Sequence, residues 1–198
     1  MKALILLCTI LISFSQYAIA QHEIFDGGNI LEVSIVGKQK YDRLTSKGVR
    51  MPGVIMSFSN DSKHKFLGSI VECSAPFNIS KFSLTVHKCM AEKAIFQLTF
   101  RKIEADGAHQ ELLDVPLLFS MRQSLKSAEY YVTPDSDITI EPGTYYIGIA
   151  LLNVTGDTQE VLFPLYLKKS FIIPNDSNEL QEYQYNIGLS VAGREIKE

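Results

Sequence analysis

ITIEPGTYYIGIALL, residues 138–152, is the stretch whose reading decides the fold. Ile138 and Ile140 alternate with Thr139 and Glu141, the period of two of a half-buried strand. Pro142-Gly143 then breaks the run. Proline presets φ for the first corner of a turn, and glycine accepts the positive φ that a type II turn needs next. The second run differs from the first. Tyr145, Ile147, Ile149 and Leu151 make one face, and Tyr146, Gly148, Ala150 and Leu152 make another that is also apolar. A strand apolar on both faces is usually covered on both, so a central hairpin is expected here. Gly148 and Ala150 keep one face thin, which lets something bulky pack closely.

Outward from this stretch the same alternation returns. Leu31–Ile35, Val54–Phe58, Phe66–Cys73, Phe82–His87 and Phe96–Arg101 show it before the centre, and Val161–Leu167, Phe171–Ile173 and Tyr183–Leu189 after it. Tyr130–Val132 is rich in β formers, and Leu112–Leu113 and Leu117–Met121 follow an Asp106-Gly107 hairpin signal. Tyr41–Gly48 reads as a polar loop. Gln123–Ala128 is where a short helical turn competes. Sustained 3.6-residue periodicity is missing, so the pattern predicts an all-β protein: an antiparallel β-sandwich, jelly-roll-like, of about ten to eleven strands.

Residues 1–20 are expected to be a cleaved signal peptide. Lys2 opens it, an apolar run follows that is too short to span a bilayer comfortably, and Ala18-Ile19-Ala20 offers small residues to a peptidase before Gln21. A retained anchor is the alternative. Residues 21–198 then suit one domain. The expected address is exported: periplasmic, cell-surface or secreted, with no membrane span after cleavage. A net charge of −3 without a basic stripe argues against nucleic acid as a partner. Asn60, Asn78, Asn153 and Asn175 head Asn-x-Ser/Thr sequons, glycan acceptors in a eukaryotic secretory pathway and inert in most bacteria.

The residues present do not assemble into a reaction. His22, His64, His87 and His109 lack metal-motif partners apart from the near miss His87-Lys88-Cys89, whose neighbours point to opposite faces of a strand. Gly68-Ser69 lies inside a strand rather than in a nucleophile elbow. Asp135 and Asp137 flank Ser136 in a loop without the further oxygens calcium needs. The sequence thus offers no catalytic residue, no metal ligand and no cofactor. Tyr130 and Tyr131 are the candidate ligand-binding residues, as a glycan-stacking platform, and one of the two must face outward because strand neighbours alternate. Tyr183 and Tyr185 share a face with Ile187 and Leu189 and read as core.

Leu67-Gly68-Ser69-Ile70 leading into Phe77–Val86, then Ile95–Ile103, Ile138–Ile149, Phe163–Tyr166 and Asn186–Val191 give a strand order that carries a resemblance. It resembles a β-sandwich domain of secreted Bacteroidetes proteins, often found behind a carboxypeptidase-regulatory-like domain, and spans roughly Val54 to Glu195. The resemblance implies an exported bacterial protein with a jelly-roll-like fold and lends no catalytic residue. Residues 21–50 do not show the regulatory-like module. The expected function is an exported, non-catalytic binding or structural module of the cell envelope, acting on an unknown envelope protein or polysaccharide. The alternative is a glycan-processing or other hydrolytic enzyme with a loop-assembled active site. Cys73 and Cys89 are expected to stay unbonded despite an oxidising address, because the strand between them carries them apart by far more than the ~7 Å a disulfide spans.

Overall fold

The computed structural model describes residues 31–32, 42–45, 48–62 and 64–196. The expected signal peptide, residues 1–20, and His22 lie outside the described residues. Within them the chain forms β1 (Leu31–Glu32), β2 (Asp42–Thr45), β3 (Val49–Phe58), β4 (His64–Cys73), β5 (Phe77–Val86), β6 (Lys88–Ile103) and β7 (His109–Glu111). There follow β8 (Leu117–Ser124), β9 (Ala128–Val132), β10 (Ile138–Ile140), β11 (Gly143–Thr155), β12 (Val161–Pro174), β13 (Gln181–Asn186) and β14 (Ser190–Glu195).

These strands make the expected antiparallel sandwich. The larger, nine-stranded sheet runs β1-β8-β6-β11-β4-β12-β13, with β3 on β12 and β7 on β6. The smaller, five-stranded sheet runs β10-β5-β14-β2, with β9 on β5. Only the short β1–β8 pairing among these is parallel. The chain passes from one sheet to the other between β1 and β2, between β2 and β3, between β4 and β5, at His87, between β8 and β9, between β10 and β11, and between β13 and β14, the repeated wrapping of a jelly-roll-like sandwich. There are more strands than the alternation suggests in part because β2 and β7 are only four and three residues long. Periodicity cannot register in so few positions. Tyr41–Gly48, read as a loop, holds β2, in which Leu44 alone packs on the core. Gln123–Ala128 contains no helical turn: β8 continues to Ser124 and β9 begins at Ala128.

The decisive stretch is central, though not as a hairpin. β11 pairs with β4 on one edge and β6 on the other. Both edges are occupied, so β10 finds its partner in the other sheet, on β5. Pro142-Gly143 is therefore a corner between sheets, and Gly143 is not among the positive-φ glycines a type II turn would require. Tyr145, Ile147 and Ile149 are at most 1% exposed, and their face meets the small sheet. Phe82 of β5 packs edge-on against Phe100 of β6, with ring centres 5.4 Å apart, and Phe100 stacks on Tyr145 at the same separation. A second aromatic group forms around Phe96, with Phe58, Phe119 and Phe163 within 5.9 Å of its centre.

The outer face of β11 is also buried, beneath a small second core of Phe66, Tyr146, Ala150 and Ile173. Gly148 pairs with Gly68 on β4. A Cβ at Gly68 would sit 2.0 Å from the Ile147 carbonyl oxygen and 2.5 Å from the Tyr146 ring; one at Gly148 would sit 2.7 Å from that ring. The thin face of the strand is thus occupied by the strand's own Tyr146, lying flat along it. Ser69, on the opposite face, accepts a hydrogen bond on Oγ from Leu189 N at 3.0 Å, so its hydroxyl fastens the β13–β14 connection.

Cys73 and Cys89 are both buried and unbonded. The separation arises differently from the expectation. Cys89 belongs to β6, beyond the sheet switch at His87, and not to the end of β5. Cys73 lies opposite Gly143, whose neighbour Thr144 faces Ile103 at the far end of β6. Roughly fourteen residues of β6, on the order of 45 Å of contour, separate the two positions. Burial raises both thiol pKa values.

Two outcomes test this packing. Ile147→Ala is expected to cost about 2–5 kcal/mol in chemical denaturation, because it opens a cavity where β11 meets the small sheet. Iodoacetamide at mild alkaline pH is expected to label neither thiol until denaturant is added, and mass spectrometry of the unreduced protein to show no Cys73–Cys89 peptide pair. A cross-linked pair would show that the crossing at His87 is misplaced.

Candidate functional site

The outer face of the small sheet has a floor of small residues. On β14, Ser190 faces Thr45 and Ser83, and Ala192 faces Arg43 and Lys81. Ser83 and Ser190 are buried with their hydroxyls 3.1 Å apart. Longer side chains meet over this floor from strands that do not touch. Arg43 of β2 donates from Nη1 to Glu129 Oε1 at 2.8 Å and from Nη2 to Oε2 at 3.4 Å, reaching across to β9. Arg43 Nη2 also donates to the Tyr131 hydroxyl, which in turn donates to Glu129 Oε2 at 3.0 Å. The Arg43 guanidinium lies 5.6 Å from the Tyr131 ring centre and the Lys81 ammonium 5.8 Å, both within cation–π range. Burial, then the Glu129 carboxylate, raise the Tyr131 pKa.

Tyr131 is therefore the outward-facing member of the expected pair. Tyr130 is 6% exposed and belongs to the core, because the alternation that turns one ring out turns the other in. That removes Tyr130 as a surface ligand-binding residue. Tyr131 is no bare stacking platform either, since two cations sit against its ring. Arg43, Lys81 and Glu129 carry no motif; they converge only through sheet order. Tyr183 and Tyr185 pack edge to face at 5.6 Å against the main core, as expected.

A second polar group staples the β6–β7 hairpin. Gly107 takes a positive φ in the expected Asp106-Gly107 turn. Glu111 accepts from Phe100 N at 2.9 Å, from Leu113 N at 3.4 Å and from the Thr99 hydroxyl. Arg101 donates from Nε to Thr99 Oγ1 at 3.1 Å, lies 3.4 Å from Glu111 Oε2, and places Nη1 3.2 Å from His109 Nδ1. Burial, then Arg101, hold the His109 pKa below its ordinary value.

The third place is a cleft of about 260 Å³ on the outer face of the large sheet. Asn60, Ser62 and Lys65 stand on one side, on the β3–β4 turn and the start of β4. Gln97 of β6 and Asn175, just past β12, complete the polar lining, over Ala150 and Phe66. Asn60 donates from Nδ2 to Gln159 Oε1 at 2.8 Å, and Asn175 from Nδ2 to the Ser62 carbonyl at 2.9 Å. Asn60 and Asn175 stand out in the sequence only as sequons, and Gln97 only as the wet side of a strand. Asn78, another sequon, lies within β5 between β10 and β14 with its Oδ1 buried. A larger, open groove of about 640 Å³ follows β12 and β13, crossed by the Lys169–Glu182 ion pair.

Asp135 and Asp137 are exposed in the β9–β10 connection. His87 sits half-buried at the sheet switch, its N–H bonded to the Leu162 carbonyl at 2.7 Å. Among the described residues no group of three or more His, Cys, Asp or Glu side chains is placed to hold a metal, and no helix is long and apolar enough to cross a membrane.

No protein-family model matches the chain, and no curated protein matches its sequence. Among solved structures it is similar to the cysteine protease and lectin-like domains of a surface-layer-associated protein of Clostridium difficile, at 10% identity and a TM-score of 0.45, over 74% of this chain and 37% of that one. It is also similar to the Eiger TNF of S. frugiperda, at 6% identity and 0.36, over 81% and 96%. A CocE/NonD family hydrolase from Staphylococcus aureus matches at 8% and 0.39, over 83% and 40%. The chain spans less than half the length of the first and third of these.

His109 gives a signed pH prediction. Its folded pKa is lowered, so on acidification the unfolded chain takes up its proton first. The residue therefore costs stability as pH falls from neutral through the ordinary histidine range near 6.5. His109→Gln is expected to flatten the drop in unfolding midpoint between about pH 7 and 5. An unchanged acid profile would show that the ring is not desolvated.

Proposed function

We propose that the protein is an exported, non-catalytic binding or structural module acting at the cell envelope on a protein or polysaccharide partner. The address rests on the leader-like residues 1–20 and on the resemblance to secreted Bacteroidetes sandwich domains. The non-catalytic part is carried by one observation. His109 and Glu111 are neighbours on β7 that would make the most plausible acid–base pair, and both are committed to the hairpin. Glu111 accepts three hydrogen bonds and the His109 Nδ1 faces Arg101. A general base needs a free lone pair within reach of a substrate proton, and these groups spend theirs on holding β7 to β6.

The test has three arms. Expressed in a bacterial host, the protein is expected outside the cytoplasm with its N-terminus at Gln21. It is expected to deplete envelope polysaccharide from solution saturably and without turnover. Glu111→Ala is expected to lower stability by about 1–2 kcal/mol, in line with losing partly exposed hydrogen bonds to a charged group, and to leave depletion intact. Turnover of a glycoside or ester panel that is abolished by Glu111→Ala or His109→Ala would replace the module with a hydrolase.

A further inference from the structure

We propose that the cleft above Ala150 binds a single neutral sugar residue of a polysaccharide. The inference rests on the binding-module reading and names the site and ligand class within it.

The cleft follows from side-chain size along β11. Its outward residues are Tyr146, Gly148 and Ala150, set against Arg101, Thr99 and Gln97 of β6. Gly148 and Gly68 leave their row without side chains, and the Tyr146 ring lies down into that gap. The next row offers only the Ala150 methyl beside Gln97. The surface is hollow over that methyl, and the β3–β4 turn and Asn175 wall the hollow.

The walls offer hydrogen-bonding groups of both signs. With Nδ2 of Asn60 and Asn175 engaged, the Oδ1 of each remains an acceptor. Ser62 Oγ accepts from Ser59 N at 2.9 Å, which leaves its O–H to donate. Gln97 brings a whole amide. Lys65 bonds Asn178 Oδ1 at 3.2 Å and keeps further N–H groups. Vicinal hydroxyls, each donor and acceptor together, are matched by amides and hydroxyls of this kind. Lys65 is the one cation in the lining and is held by Asn178, and without an arginine there is no guanidinium fork for a carboxylate or sulfate, which favours a neutral ring. Leu152, 37% exposed, adds an apolar rim for the C–H face of a ring. A volume near 260 Å³ lies under the ~300–1,000 Å³ of sites for drug-sized ligands, which limits the occupant to one ring.

The experiment uses protein from a bacterial host, which leaves the Asn60 and Asn175 sequons bare. Glucose, galactose, mannose, N-acetylglucosamine and glucuronate are titrated by calorimetry and saturation-transfer NMR. At least one neutral sugar is expected to bind with Kd on the order of 1 mM, and Gln97→Leu and Asn175→Leu each to weaken it about tenfold. Both positions are off the main core, so folding survives. No neutral sugar bound, glucuronate bound alone, or binding indifferent to the cleft variants and lost instead in Tyr131→Ala would each overturn the assignment. Depletion of envelope polysaccharide separates the two levels. If the wild type depletes it and Gln97→Leu does so equally, the cleft is wrong and the module stands; if neither does, the module reading fails as well.

Discussion

The opposed glycines Gly68 and Gly148, with the Tyr146 ring laid over them, are the constraint on which the large sheet depends. A central strand must fill space on both faces, and β11 does so with unequal means. Its inner face carries Tyr145, Ile147 and Ile149 into the main core. Its outer face closes with one aromatic ring that reaches over two side-chain-free positions. Any Cβ at either glycine would lift that ring, and the ring holds the second core of Phe66, Ala150 and Ile173 in place. Because both edges of β11 are bonded, β10 is driven into the opposite sheet and the residues before Gly143 turn a corner. The wrapping of this part of the sandwich thus follows from one strand's saturation.

The polar side chains sort by what they are free to do. Arg43, Glu129 and Tyr131 satisfy one another and tie β2 to β9 across two intervening strands. With Arg43 and Glu129 about a third exposed, such a pair contributes about 0.2–1 kcal/mol and is weakened by salt, so it closes a surface more than it stabilises a fold. Glu111 and Arg101 are similarly consumed by the hairpin they brace. The amides about Ala150 differ: Asn60 and Asn175 each spend a donor on a neighbour and keep an acceptor for whatever enters, and Gln97 keeps its whole amide. That distinction, between groups that complete each other and groups left half-used, is what separates a brace from a binding site on otherwise similar sheet faces.

Strand identity was legible because a half-buried strand must alternate. Phe96–Arg101 and Phe66–Cys73 could be placed from their own residues, as could the glycine turn at Asp106-Gly107. Tyr131 was legible as half of a pair in which one ring faces out, and the core role of Tyr183 and Tyr185 from the company they keep. Arg43, Lys81 and Glu129 were not, since nothing in a tetrapeptide such as Asp42–Thr45 announces that its arginine will cross two strands. Asn60, Gln97 and Asn175 stand far apart in the chain and meet only where the ends of β3 and β12 come over the middle of β6.

The sequence by itself determined the all-β class, the central place of residues 143–152 and the burial of Tyr145, Ile147 and Ile149, because these follow from periodicity and side-chain volume within one segment. Only the tertiary structure decided that β10 and β11 belong to different sheets, that Cys89 lies beyond a sheet switch, that Tyr130 is the buried ring, and that amides from three elements share one cleft. Those are matters of which strand edges find each other, and a strand edge is backbone, whose hydrogen-bonding groups are nearly the same at every residue.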